Sequence, residues 1–211
     1  LFRFGANMVG VKISNVLRRY SDNLLIGFFL GAAALGYYTV AYRLARLFMD
    51  MLDSVIGQVT ISTFARLQDD KINLRQVLHK ILKMVNLIAF PLFTGLIILA
   101  PDLISLFSGA RWSTSVPVMR VLSGSGYAIT TQIVLSYLMI GLGKMTLLLR
   151  INLVNALTYV IAFALTVRSG IFYVGIAYTA VSFIYLGVYL YLTHRMIGFN
   201  YWEYFYHLFW S

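Results

Sequence analysis

Long apolar runs separated by short polar segments dominate this chain. A helix needs about 20 mostly apolar residues to cross a bilayer, and four runs reach or nearly reach that length. The run 151–167 is slightly short, but it lies between Arg150 and Arg168, which can extend toward opposite membrane surfaces. The pattern predicts an all-α fold, a polytopic transmembrane helix bundle. The runs cover residues 84–101, 121–142, 151–167 and 169–192.

The first 66 residues predict a helical hairpin. The longest uncharged run is 23–42, yet helical periodicity continues on both sides of it. Gly31 and Gly36 border a short segment that suits a tight turn between helices. We therefore expect two long helices, over about 5–31 and 36–65.

The rest of the chain completes one bundle of about six spans. A basic amphipathic stretch follows Arg66, and Asn73 is a candidate N-cap for the next helix, which Pro91 is expected to kink. The aromatic tail 196–211 is expected to lie in the membrane interface or to begin another helix. We treat 1–211 as a single transmembrane lobe, with helices at about 5–31, 36–65, 74–101, 116–142, 145–167 and 170–193.

Composition supports a protein that works in lipid. The chain is 60% hydrophobic and only 11% charged, with a mean hydropathy of +0.81, whereas soluble domains are about 25% charged. The absence of cysteine excludes disulfides and thiolate metal sites. The three His and seven acidic residues are scattered, so we expect no metal site and no cofactor, apart from H+ or Na+ coupling.

The net charge of +10 points to orientation in the membrane rather than to nucleic acid, because the basic residues lie between the spans. Nine of the 17 Lys and Arg residues fall on one predicted side and three on the other. The richer side is expected to be cytoplasmic, together with the N-terminus of the chain. Its basic residues are Arg3, Arg66, Lys71, Arg75, Lys80, Lys83, Lys144, Arg150 and Arg195.

Charged residues within the predicted hairpin are the candidate functional groups. A charged side chain at the bilayer centre costs at least about 2.5–3.5 kcal/mol, so these groups cannot face lipid. They either fasten the two helices to each other or line a hydrated cavity with net positive charge, and we favour the cavity because five bases face three acids. Arg18 points away from the others. The set is Lys12, Arg18, Arg19, Asp22, Arg43, Arg46, Asp50 and Asp53.

Three segments resemble one known family. They are Tyr20-Ser-Asp-Asn-Leu-Leu-Ile-Gly-Phe-Phe-Leu-Gly31 with Ala34-Leu-Gly-Tyr-Tyr-Thr-Val-Ala-Tyr42, then Ser62-Thr-Phe-Ala-Arg-Leu-Gln-Asp69, then Leu106-Phe-Ser-Gly-Ala-Arg-Trp112 followed by Pro117. In order and spacing they are similar to the oligosaccharide and polysaccharide flippases of the MOP exporter superfamily, with Thr63 where that family usually has proline.

The resemblance implies a transporter of two lobes around a central cavity, of which this chain would be the second lobe. Such proteins move polyprenyl-diphosphate-linked oligosaccharides across the bacterial inner membrane for O-antigen, capsule or exopolysaccharide. The partners implied are the bilayer, the lipid-linked oligosaccharide and a missing N-terminal lobe.

These expectations assign roles to the intramembrane charges. Lys12, Arg19, Arg43 and Arg46 would bind the diphosphate, because an Arg fork bonds two phosphate oxygens at once. Asp22, Asp50 and Asp53 would position those bases or couple transport to an ion. The alternatives are a drug or ion antiporter of the same superfamily, a membrane-embedded sugar polymerase or transferase, and a structural half without its own site. Since no catalytic motif is present, we do not expect an enzyme.

Overall fold

The computed structural model of this protein describes the backbone of residues 2–198 and the side chains of residues 9, 20–57 and 60–198. A helical segment Phe2–Arg66 is broken at Gly31, so it forms α1 (residues 2–30) and α2 (residues 32–66). The remaining helices are α3 (Lys71–Ile98), α4 (Ala100–Ser108), α5 (Val116–Gly141), α6 (Met145–Thr166) and α7 (Ile171–Ile197). Short 3₁₀ helices, Ala110–Ser115 and Val167–Ser169, precede α5 and α7.

Gly31 folds the first segment back on itself. Its φ of 82° and ψ of 178° lie in a region that only glycine adopts readily. Two residues 16 positions apart would be separated by about 24 Å along a straight helix, yet the Tyr38 hydroxyl donates to Asp22 Oδ2 at 2.9 Å. The contact shows that α1 and α2 form a hairpin.

The turn of this hairpin is shorter than the sequence predicts. We expected a four-residue turn between Gly31 and Gly36, but the helix resumes directly after Gly31. Gly36 has a different role, because a Cβ there would lie 3.3 Å from the Trp112 ring. Gly36 therefore allows the 3₁₀ segment to pack closely against α2.

Helix α3 begins earlier than predicted. Asp70, rather than Asn73, is its N-cap, and the Asp70 carboxylate accepts from the backbone N–H groups of Ile72 at 3.2 Å and Asn73 at 3.1 Å. The Asn73 side chain adds a donor to the second carboxylate oxygen at 2.6 Å. Asn73 failed as a cap because an aspartate three residues upstream competes for the same N–H groups.

The later boundaries differ from prediction by a few residues. Pro91 lies inside α3, which ends at Ile98, and α4 starts with Pro101 in its first turn. The predicted helices leave a gap between 101 and 116, and the structure places α4 and a 3₁₀ helix there. The aromatic tail lies outside the described residues beyond Gly198.

Helix α5 is the centre of the lobe. It packs against the hairpin, α3 and α7, while α6 packs against the hairpin and α7. Two glycines permit the close approach: a Cβ at Gly126 would lie 2.3 Å from the Phe93 ring, and one at Gly141 would lie 2.8 Å from Phe64 Cβ. Small residues at such contacts are typical of membrane helix packing.

The outer faces of the helices are apolar. Exposed Phe28, Val55, Leu87 and Leu165 are each more than 70% accessible. Among the described residues, four stretches are long and apolar enough to cross a membrane, and the break at Gly31 divides the first of them between α1 and α2. They are Tyr20–Arg66, Lys71–Ile98, Met145–Ser169 and Ile171–Ile197, with mean hydropathies of 1.7 to 2.0.

The sequence predicted a span at 121–142, but α5 is not among these four apolar stretches. Ser123, Ser125, Thr130 and Gln132 of α5 are buried between other helices rather than exposed to lipid. Ser125 and Thr130 donate to carbonyls of α5 itself, and Gln132 Nε2 donates to the Ser182 carbonyl at 2.7 Å. A central helix can therefore carry polar side chains inside the bundle.

Gly31→Ala should destabilise the protein by about 1–3 kcal/mol, because the φ and ψ of residue 31 are unfavourable for any side chain. The matched control is Gly95→Ala in α3. A Cβ meets open space at both positions, and only Gly31 has a positive φ. Gly95→Ala should be neutral or stabilising by up to about 1 kcal/mol. Thermal unfolding of the purified protein in detergent measures both, and equal effects of the two changes would contradict this account.

The cap at Asp70 should make stability depend on pH. The N–H groups of Asn73 and Ile72 favour the ionised carboxylate, which lowers the pKa of Asp70 below its ordinary value. The stabilisation is then fully present above the ordinary aspartate pKa of about 4 and is lost as pH falls through the lowered pKa of the folded state. Asp70→Asn keeps an acceptor oxygen but does not titrate. Melting temperatures between about pH 7 and pH 3 should fall more steeply for the wild type, and parallel curves would refute the assignment.

Candidate functional site

Four charged side chains of α2 recur at steps of three and four residues and form a polar stripe, defined as Arg43, Arg46, Asp50 and Asp53. Arg43 is exposed, whereas Asp53 is half-buried. Apolar residues next to the stripe, such as Leu47 and Met51, are also exposed. The stripe therefore lies at the surface of the lobe and not in its interior.

Within the stripe, Arg46 and Asp50 form an ion pair. Arg46 Nε donates to Asp50 Oδ1 at 2.9 Å, with 16% of the Arg46 side chain and 43% of the Asp50 side chain accessible. The i,i+4 spacing places both groups on one face of the helix. The bond fixes the orientation of the guanidinium plane while part of the pair stays accessible.

Asp53 is held from another helix. The Tyr137 hydroxyl of α5 donates to Asp53 Oδ1 at 2.5 Å. Gly57, one turn further along α2, makes room for this tyrosine, since a Cβ at that position would lie 2.8 Å from the hydroxyl oxygen and 3.0 Å from Cζ. Tyr137 and Asp53 thus depend on a glycine for their contact.

These residues border an open groove of about 410 Å³, which we call the Asp53 groove. Its described lining combines two carboxylates, the hydroxyls of Ser54 and Tyr137, one aromatic ring and one aliphatic side chain, and no Lys or Arg is among these residues. Arg46 reaches this lining only through Asp50. The groove is lined by Asp50, Asp53, Ser54, Gly57, Ile61 and Tyr137.

Asp22 lies elsewhere and has a different environment. It is fully buried, accepts from Tyr38 at 2.9 Å and also accepts from the backbone N–H of Asn23 at 2.7 Å. Asp22 therefore fastens α1 to α2 and does not line the Asp53 groove. For Asp22, this role agrees with the alternative that the hairpin charges fasten the two helices to each other.

The predicted site residues are only partly brought together. Arg43, Arg46, Asp50 and Asp53 share the polar stripe, while Asp22 is separate from it. The side chains of Lys12, Arg18 and Arg19 lie outside the described residues. The binding of a diphosphate by the basic residues stays a prediction.

Sequence reasoning missed Tyr137 and did not recognise the purpose of Gly57. A tyrosine in an apolar span was an available signal, because a buried tyrosine hydroxyl usually has a hydrogen-bonding partner. Polar residues of α6 make contacts between helices: Asn152 accepts from Tyr189 at 3.2 Å, and Thr158 bonds Tyr185 at 2.9 Å.

Comparison with known proteins shows the family. Residues 1–117, more than half of the chain, match the family described as polysaccharide biosynthesis protein. The chain is 33% identical over 120 residues to the lipopolysaccharide biosynthesis protein WzxC of Escherichia coli. This alignment covers 57% of this chain and 24% of WzxC. It is 31% identical over 122 residues to the teichuronic acid biosynthesis protein TuaB of Bacillus subtilis, covering 58% of this chain and 25% of TuaB.

A third relative is the probable flippase AglR of Haloferax volcanii, 31% identical over 104 residues, covering 48% of this chain and 22% of AglR. The chain thus spans about a quarter of the length of the curated relatives it matches. None of these three relatives is named as an enzyme.

A solved structure shares the fold. A MOP superfamily transporter from Pyrococcus furiosus superposes with a TM-score of 0.75 over 92% of this chain and 43% of the transporter, at 14% sequence identity. The described helices therefore have the arrangement of one part of such a transporter. The family match at residues 1–117 spans the hairpin, α3 and α4, which is more than half of the chain. The chain therefore belongs to the polysaccharide biosynthesis protein family, as a multi-pass helical membrane protein.

Proposed function

We propose that this chain is one lobe of a transporter that flips polyprenyl-diphosphate-linked oligosaccharides across the bacterial inner membrane by alternating access. The transported units would serve O-antigen, capsule or exopolysaccharide synthesis. The second lobe of the same transporter would complete the cavity. The names of WzxC and TuaB support a role in polysaccharide synthesis, and the name of AglR, a probable flippase, supports transport.

The polar stripe is the observation that carries this proposal. Four charges lie on the surface of a helix most of whose other exposed residues are apolar and whose length suits a membrane span. Such charges cannot face acyl chains without a cost of several kcal/mol. They would therefore face a water-filled space between this lobe and a second one.

The two arginines of the stripe suit a diphosphate. Arg43 is exposed at the lobe surface, and the pairing with Asp50 holds the guanidinium of Arg46 in a fixed plane. A planar guanidinium bonds two phosphate oxygens at once, which a flexible lysine does not do. Arg19 and Lys12, on the facing helix, are proposed to complete this cationic site. Asp22, Asp50 and Asp53 would position the bases or couple transport to H+ or Na+.

The ends of the lobe support a cytoplasmic N-terminus. The Phe64–Gly141 contact places the turns after α2 and α5 at one end of the bundle. These turns carry Arg66, Lys71 and Lys144. The end with Gly31 carries Arg111 near Trp112 and Arg168 near Phe29. The end richer in Lys and Arg would face the cytoplasm.

Removal of either stripe arginine should impair transport. In the complete transporter that contains this lobe, Arg43→Ala and Arg46→Ala should each lower polymer export by about tenfold or more, since a hydrogen bond to a charged group is worth about 1.5–3 kcal/mol. Arg19→Ala should have a similar effect. Complementation of an export-deficient strain measures the loss.

Arg120→Ala is the matched control for these arginine variants. Arg120 is an exposed arginine of α5 whose Nε donates to the Ile97 carbonyl at 3.2 Å, away from the stripe. It should export normally. Near-normal export by both the Arg43→Ala and Arg46→Ala proteins, at normal expression, would rule out the cationic site.

The acidic lining of the Asp53 groove favours one second candidate, a drug or ion antiporter of the same superfamily. Carboxylates in a cavity attract organic or inorganic cations. Proteoliposomes with the complete transporter discriminate the two. We expect lipid-linked oligosaccharide to be flipped and a cationic dye to be retained. Dye export driven by a proton or sodium gradient, and lost in Asp53→Asn, would instead establish the antiporter.

A further inference from the structure

We infer that the Asp53 groove is a saccharide subsite, which holds the hydroxyl groups of the sugar next to the diphosphate. The inference rests on the proposed function and names a second part of the same substrate site. It assigns the carboxylates to the neutral sugar and leaves the phosphates to the arginines.

The polarity of the groove decides against phosphate as its ligand. Among the side chains that the structure describes, Asp50 and Asp53 line it and no Lys or Arg does, which disfavours an anionic diphosphate there. A neutral hexose carries several hydroxyl groups and no charge. Carboxylate oxygens are strong acceptors for such hydroxyls, and the Ser54 hydroxyl can both donate and accept.

The partners of the carboxylates also decide against a bare divalent cation. Asp50 Oδ1 accepts from Arg46 and Asp53 Oδ1 accepts from Tyr137. Donors therefore already offset part of the negative charge, and the two carboxylates do not converge as a free pair. Groups in this state are better suited to hydroxyl donors than to a metal ion that needs several unshared oxygen ligands.

Size and shape agree with a sugar. The groove holds about 410 Å³, within the usual range of roughly 300–1,000 Å³ for small-molecule sites. Ile61 and the ring of Tyr137 give it an apolar surface, against which the C–H face of a sugar ring can pack. Gly57 keeps this surface open, because a larger residue would displace the tyrosine ring.

The groove also lies at the right place relative to the arginines. Asp50 belongs both to the ion pair with Arg46 and to the lining of the groove. Asp53 follows one turn later, about 5 Å further along the helix axis. A sugar whose diphosphate contacts Arg46 would therefore reach the groove without a spacer.

The test compares two probes on the complete transporter in lipid nanodiscs. One is a hexosyl-diphospho-polyprenol, and the other is the same polyprenyl diphosphate without the hexose. Tyr137→Phe keeps the ring and removes its hydroxyl, so Asp53 loses its donor, and Asp53→Asn removes the charge. Each variant should weaken binding of the hexosylated probe by about tenfold and leave the affinity for the sugar-free probe within about twofold of the wild type.

Two further variants separate a subsite from a folding defect. Gly57→Ala keeps every polar group but displaces Tyr137, and it should reproduce the selective loss. Tyr185→Phe removes a hydroxyl that bonds Thr158 at 2.9 Å between α6 and α7. This control should bind both probes as the wild type does. Melting temperatures of all variants show whether each is folded.

Each outcome has a distinct meaning. Equal weakening of both probes, or of neither, in the folded Tyr137→Phe and Asp53→Asn variants would overturn the subsite. A wild type that binds both probes equally well would also overturn it, and would leave the proposed function intact. A wild type that binds neither probe would defeat the proposed function and the subsite together.

Discussion

The cost of placing charge in a membrane-length helix constrains the whole lobe. Most of the surface of α2 is apolar, and a charged side chain on that surface must find water or a partner. The structure satisfies Arg46 with Asp50, and Asp53 with Tyr137. Both pairs remain accessible on one side, unlike Asp22, which is fully enclosed. The accessible and enclosed acids thus have different environments, one at the surface of the lobe and one within the hairpin.

The hairpin determines where that surface lies. Gly31 reverses the chain without a loop, and the Asp22–Tyr38 bond fixes the rotation of α1 against α2. Packing on α5 then fixes the rotation of α2 about its own axis. Tyr137 can reach Asp53 only because Gly57 is small, and Gly141 brings α2 equally close at its other contact. These contacts together fix the direction in which the polar stripe faces, so the packing residues also determine the site.

The sequence was sufficient for the helical class, the hairpin and the polar stripe, because hydrophobic periodicity and charge spacing are local properties. It was insufficient where a partner comes from a distant helix. Tyr137 lies 84 positions from Asp53, and no spacing rule connects them. The cap at Asp70 was missed for a smaller reason, since two good capping residues lie three positions apart and the structure uses the first. The polar residues of α5 became interpretable only once the helix was seen to be central.

The polar stripe is also ordered along α2, and that order matters for how one substrate could be held. The basic residues Arg43 and Arg46 come first, then Asp50, which belongs to both parts, then the groove with Asp53 and Ile61. From residue 43 to residue 61 the helix rises about 27 Å. A lipid-linked sugar has the same order of chemistry, with phosphate between the lipid and the polar sugar. Charge that changes sign along one helix can therefore set the direction in which such a head group lies, which uniform positive charge could not do. In this respect the acidic groove would complement the proposed cationic site instead of competing with it.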